Sequence, residues 1–221
     1  MKLNEDKTKY MVFSRSETEI ATRLALNGKT LERIEEVKLL GVWFTTWLDW
    51  ERNTAEICKR AYARLTLITK LKYVGVSTED LVHLYILYIR SVLEYCSVLW
   101  HSTLTTAQSY NIERVQKTCI KVILGEEYVD YPSALEICGL ETLQERRENR
   151  CLQFGLKCLL HPDHSNMFPV NPKVYRNIYN TRKTEHFIVN KAKSESYRMS
   201  AIPFIQRKLN QYVQNQSKSK P

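Results

Sequence analysis

Leu48-Asp49-Trp50-Glu51-Arg52-Asn53-Thr54-Ala55-Glu56-Ile57-Cys58-Lys59-Arg60-Ala61-Tyr62-Ala63-Arg64-Leu65-Thr66-Leu67-Ile68-Thr69-Lys70-Leu71-Lys72 is where the hydrophobic period of this chain changes from two to about 3.6. Ile57, Ala61, Leu65, Ile68 and Leu71 fall on one face of a helix running from about Arg52 to Lys72. Everything before that point reads as β structure and nearly everything after it as helix. The fold class expected is therefore α+β, mainly α: a small antiparallel β element, then a helical bundle, then a basic and partly irregular tail.

Upstream, Thr8 to Ser14 is a short apolar run, and Asn27-Gly28 separates Leu24-Ala25-Leu26 from Lys29-Thr30-Leu31. Asn-Gly tolerates the positive φ angles of a type I′ turn, so a tight hairpin is expected there. A third run, Val37 to Phe44, holds Gly41, which would let another backbone or a ligand approach closely.

Downstream, Ser77 and Asp80 have capping-box spacing and open a helix towards Leu99. It is apolar on most sides (Leu81, Leu84, Tyr85, Tyr88, Ile89, Val92) and should be the central one. A third helix carries Ile112, Val115, Cys119, Val122 and Ile123 and ends at Gly125; a short one starts near Pro132 and stops at Gly139. The last clear helix spans about Thr142 to Leu160, with Leu143, Cys151, Phe154 and Cys158 inward, and His161-Pro162 ends it. Leu84, Tyr88, Val92, Val115, Cys119 and Phe154 are expected to be buried. Beyond Met167 polar and basic residues alternate with isolated Tyr175, Tyr179 and Phe187, and a short helical stretch is expected around Ile205 to Val213. The domains expected are 1–50, 51–165 and 166–221.

Charge is distributed unevenly. The net charge is +9, and from Asn171 onward eleven basic residues face only Glu185 and Glu195, so residues 1–170 are neutral. A neutral body with a basic tail suits a polyanion binder, because lysines and arginines release condensed counterions from phosphates; a solvated tail with no partner has the same composition. Lys59, Arg60, Arg64, Lys70 and Lys72 on the first helix, and Arg114, Lys117 and Lys121 at spacings that share one face of a later one, are further candidates for phosphate contact. No apolar run approaches the roughly 20 residues of a membrane span, and the first residues lack a signal-peptide core, so an intracellular protein of nucleus or cytoplasm, without a membrane partner, is expected. The six cysteines are scattered through apolar helical segments and read as reduced core thiols. Cys151, Cys158, His161 and His164 lack the paired spacing of a structural zinc site.

Asn4-Glu5-Asp6-Lys7-Thr8-Lys9-Tyr10-Met11-Val12-Phe13 resembles the N-x-x-K-T-x-x-M-x-F segment that follows the catalytic strands of non-LTR (LINE-type, jockey-like) retrotransposon reverse transcriptases. In the same order come the Leu26-Asn27-Gly28 hairpin, Val37-Lys38-Leu39-Leu40-Gly41-Val42, Leu48-Asp49-Trp50, Leu93-Glu94-Tyr95-Cys96-Ser97-x-x-Trp100, Ile112-Glu113-Arg114-Val115-Gln116-Lys117 and Ser200-Ala201-Ile202-Pro203. The resemblance runs through nearly the whole chain and implies the end of the palm (1–50), a thumb-like bundle (51–165) and a basic tail (166–221) of an RNA-directed DNA polymerase. It implies RNA and DNA template-primer as partners, together with the palm and fingers of the polymerase. It further implies that Leu40, Gly41 and Val42 grip the primer end, that Lys7 serves the full enzyme as a general acid toward departing pyrophosphate, and that the thumb and tail, with Arg207 and Lys208, follow phosphates without reading sequence.

One departure is Trp43-Phe44-Thr45-Thr46, where the family more often has an acidic residue. The larger one concerns catalysis. The family's Mg2+ ions are held by an aromatic-x-Asp-Asp turn, because phosphoryl transfer needs metals bridging the attacking and leaving oxygens. The aspartates here, Asp6, Asp49, Asp80, Asp130 and Asp163, are all separated. Catalysis by this chain alone, and a cofactor of its own, are therefore not expected; Met1 falls near the point where the metal-binding strands would already have passed, as in a truncated reading frame. The competing reading is a helical protein-interaction module, or a non-functional remnant of such an element.

Overall fold

Two glycine-containing dipeptides shape the N-terminal unit. Asn27-Gly28 and Leu40-Gly41 both take positive φ, 50° and 83° in the first and 47° and 86° in the second. That combination makes the two-residue turn whose twist matches antiparallel strands. The first turn joins β2 (Ala25–Leu26) to β3 (Lys29–Thr30), as Asn-Gly predicts. The second corrects the reading of Val37 to Phe44 as one run: β5 (Glu36–Leu39) and β6 (Val42–Thr45) form a hairpin, paired from Leu39↔Val42 to Glu36↔Thr45. β1 (Lys9–Tyr10) pairs with β4 (Glu32–Arg33), and this short ladder is parallel.

The structure, a computed structural model, describes residues 4, 7–13, 23–172, 174, 185–189 and 191–218. The chain divides into two compact units, Met1–Ile57 and Cys58–Pro221. The Leu48-Asp49-Trp50 motif closes the first. Buried Trp50 meets Phe44 edge-on with ring centroids 5.6 Å apart, and the Trp43 main-chain N–H donates to Asn53 Oδ1 at 3.2 Å. Asp49 Oδ1 accepts the Glu51 N–H at 3.1 Å, satisfying one of the unpaired donors at the start of α1 (Glu51–Tyr73). Ile57, Ala61 and Ile68 are buried, as the period requires.

In the second unit, Ser77 caps α2 (Thr78–Leu84) by accepting the Asp80 N–H at 3.2 Å. The chain then departs from the single helix expected up to Leu99. Tyr85–Arg90 is a π-helical segment, followed by α3 (Ser91–Leu93), a break at left-handed Cys96, and α4 (Ser97–Trp100). A π turn carries an extra residue, so the side chains after it rotate relative to an α-helical count. Tyr85, Ile89, Leu93 and Trp100 are completely buried, and Tyr88, expected inside, is 40% exposed. Leu84 is half-buried and Val92 buried.

α5 (Thr106–Leu124) and α7 (Leu143–Leu160) both begin with complete capping boxes, Thr105 with Gln108 and Thr142 with Glu145. Between them α6 (Tyr131–Ile137) is capped by Asp130 with Pro132 in its first turn. Ile112, Val115, Cys119 and Ile123 are fully buried. Gln116, on the same helix, is buried as well. Its amide joins Tyr85 Oη, Tyr131 Oη (2.8 Å) and the Glu141 carbonyl (3.0 Å), a satisfied polar network across three helices.

The segment after Met167 corrects the expectation of a short helical stretch at Ile205 to Val213. α8 (Glu195–Met199) leads into α9 (Ala201–Lys218), whose Ile205 and Leu209 pack with Cys151, Cys158, Phe168 and Phe187 in one core cluster. Asn210 clamps Phe187 by accepting its N–H at 2.7 Å and donating to its carbonyl at 3.0 Å. Phe154, expected inward, is 38% exposed because the neighbouring position faces α9 instead: an added Cβ on Gly155 would lie 2.6 Å from Ile205 Cγ2. All six cysteines are free, and burial pushes the Cys119 and Cys151 thiols up to about 12, which leaves them protonated and inert. Tyr175, Tyr179, Lys173, Arg176, Arg182, Lys183 and Lys220 lie outside the described residues. Among the described residues no single helix is long and apolar enough to cross a membrane.

Candidate nucleic-acid interface

The outer face of α5 gathers the sequence-selected cations most cleanly. Arg114, Lys117 and Lys121, three and seven residues apart, share one face, and all three are exposed. Tyr110, four residues earlier on the same face, is 65% exposed. Lys117 Nζ lies 5.9 Å from the centroid of the Tyr131 ring, and Lys121 Nζ the same distance from that of Tyr128. Rings at this distance steady the ammonium groups weakly while leaving them hydrated. Among the described residues none of these three cations is paired with a carboxylate. Glu113, beside them in sequence, is turned away: its Oε1 accepts the Leu143 N–H at 3.1 Å and the Tyr131 hydroxyl. The arrangement presents positive charge with an aromatic edge, suited to phosphates and unstacked bases.

The other predicted cations divide by what they touch. On α1, Lys59 and Lys70 are exposed on the side opposite Ile57, Ala61 and Ile68, while Arg60, Arg64 and Lys72 lie half-buried on its flanks. Arg64 serves the fold, with its guanidinium 4.4 Å from the Tyr88 ring centroid and Nη1 donating to the Tyr88 carbonyl. This contact holds Tyr88 outside the core. In α9, Lys208 pairs with Glu148 at 2.5 Å and covers the Phe204 ring, and burial lowers the Arg207 pKa. Lys208 thereby joins the tail to the bundle.

In the first unit Leu40 stands at the hairpin tip, 84% exposed, with Gly41 completing the turn and Val42 buried behind it. Lys7 is exposed on a turn organised by Asn4, whose Oδ1 accepts the Lys7 main-chain N–H at 3.3 Å. Among the described residues no group of three or more His, Cys, Asp or Glu side chains is placed to hold a metal; Cys151 and Cys158 are buried, whereas His161 and His164 stack on each other in solvent.

Two features of the helical unit were missed in the sequence. Arg147 is fully buried, donating from Nε to His101 Nδ1 at 3.3 Å and from Nη2 to Ser109 Oγ at 3.0 Å. Burial, reinforced by this guanidinium, holds His101 down to about 4, so it is a neutral acceptor. Glu94, 2% exposed, is surrounded by Arg90, Arg146 and Arg150. The i, i+4 spacing of Arg146 and Arg150 was visible, but their meeting with a carboxylate 52 residues from Arg146 depends on the tertiary fold. Comparison with protein-family models, with curated proteins and with solved structures finds no match.

Proposed function

We propose that this chain is a nucleic-acid-binding part of a non-LTR retrotransposon reverse transcriptase, corresponding to the end of the palm, the thumb and the tail. The observation that carries the reading is the α5 face, where Arg114, Lys117 and Lys121 stand exposed, the two lysines beside tyrosine rings, without carboxylate partners among the described residues. Its ligand is a template-primer or a single strand, held through phosphates and stacking, with little sequence preference. The Leu40-Gly41 turn supports a grip role, since a solvent-facing hairpin tip is placed to approach a primer sugar. Lys7 acts only in a complete enzyme. No two aspartates are adjacent in the sequence to hold the metals of phosphoryl transfer, so purified chain should extend no primed RNA template with Mg2+ or Mn2+ above a buffer control.

The test is direct titration of a labelled RNA–DNA hybrid and a labelled single strand. R114E/K117E/K121E should weaken binding at least tenfold at about 50 mM salt while leaving the thermal unfolding midpoint nearly unchanged, because exposed charges contribute little to stability. A second reading, a protein-interaction module, is favoured by Tyr73 and Val74, 92% and 71% exposed at the end of α1. It gains if the intact chain binds neither nucleic acid.

A further inference from the structure

The buried carboxylate of Glu94 organises more positive charge than it neutralises. Arg146 Nε lies 2.8 Å from Glu94 Oε1, Arg150 Nη2 3.1 Å from Oε2 and Arg90 Nε 4.0 Å from Oε2. Among the described residues the one further acid within 4 Å of these arginines is Glu141, 3.8 Å from Arg146 Nη1 and mostly exposed. Three guanidinium groups around one buried carboxylate repel one another, and burial together with Arg146 lowers the Arg90 pKa. One carboxylate has about four acceptor sites, whereas each guanidinium carries five N–H donors, so donors are left over. The side chains also grade outward, from Arg90 at 13% exposed through Arg146 at 23% to Arg150 at 50%. Exposed Lys157 continues the Arg146 and Arg150 row along α7, giving a stripe about 16 Å long at 1.5 Å per residue.

We propose that this stripe, Arg146, Arg150 and Lys157 braced by Arg90 and Glu94, is a second phosphate-binding surface that takes the phosphodiester backbone of a single nucleic-acid strand. Arg150 makes the direct contact with its planar fork, Lys157 meets a neighbouring phosphate, and Glu94 is a positioning residue that orients the arginines from within the core. Phosphate is the matching chemistry because guanidinium forks donate in parallel pairs to its oxygens, and its charge relieves the repulsion within the cluster. This surface rests on the nucleic-acid reading above but is independent of the α5 face.

The test compares intact chain, R150E/K157E and R114E/K117E/K121E in titrations of a labelled single-stranded 20-mer between 25 and 200 mM salt. R150E/K157E should bind about tenfold more weakly at 50 mM salt, and its slope of log affinity against log salt should be shallower by about 1.4, since each lost single-strand phosphate contact removes about 0.7. A purely structural role for the cluster would not move that slope. If the charge reversal prevents folding, R150Q/K157Q should show the same slope change with a smaller loss of affinity. Unchanged affinity and slope in a folded α7 variant, alongside a weakened α5 variant, would overturn this surface and leave the α5 interface standing. No binding by the intact chain would overturn both.

Discussion

Leu40 shows how much one backbone angle decides. Asn27-Gly28 announces its turn, because asparagine and glycine are the residues that tolerate paired positive φ. Leu40-Gly41 makes the same turn with a leucine at φ 47°, a conformation that crowds its Cβ and carries no sequence signature. Replacing Leu40 with Asn should therefore raise stability by about 1 kcal/mol in chemical denaturation. Gly155 is the opposite case, a helical glycine whose missing Cβ admits α9. Gly155→Ala meets Ile205 Cγ2 and Leu209, and despite better helix propensity it should cost about 1–2 kcal/mol. Adding Ile205→Ala, which removes the obstructing methyl, should make the second change less costly than it is alone. His101 gives a pH signature. Its folded pKa, about 4, lies below the usual 6.5, so the unfolded chain binds more protons between these values. Stability from keeping it neutral is complete above about pH 6.5 and is lost as pH falls toward 4, by on the order of 2 kcal/mol for this partly shielded ring. His101→Gln should flatten that part of a stability-versus-pH curve.

At the scale of elements, the helices were readable wherever one period ran from cap to cap. α5, α6 and α7 begin at Thr105, Asp130 and Thr142, each with a side-chain acceptor for a free N–H of the first turn. The segment from Ser77 to Leu99 was not readable in the same way, because a run apolar on nearly every side fits an α or a π count equally. Only packing selects Tyr85 and Ile89 for the core and leaves Tyr88 beneath Arg64. A short helix at Ile205 to Val213 was expected, but the full length of α9 and its place in the core were not readable: its apolar residues are spaced among Gln206, Arg207, Lys208 and Asn210, and its partner face on α7 lies far away in sequence. A chain ended after Met199 should therefore lose cooperative unfolding of the helical unit, since Cys151, Cys158, Phe168 and Phe187 would lose Ile205 and Leu209. Circular dichroism melting measures this. Deletion of the basic tail is for the same reason a poor probe of binding, because it removes core as well as charge.

For the whole molecule, the net charge of +9 locates less of the candidate interface than its carboxylate pairing does. Lys208 is charged but engaged with Glu148, and Arg64 is charged but engaged with Tyr88. Arg114, Lys117 and Lys121 stand in an acid-poor face of α5, a distinction that sequence spacing suggested and only the fold separates from the cations that brace the structure. Asp49, Trp50, Glu94, Trp100 and Gln116, singled out as motif residues in the sequence, all take structural places in the fold. The most direct measurement is the salt dependence of single-strand binding by the intact chain and by R114E/K117E/K121E. The nucleic-acid reading predicts binding at about 50 mM salt that falls steeply with added salt, and a shallower slope, by about 2, for the triple variant. Equal affinities and slopes for the two proteins, or no binding by the intact chain at about 50 mM salt, would contradict it.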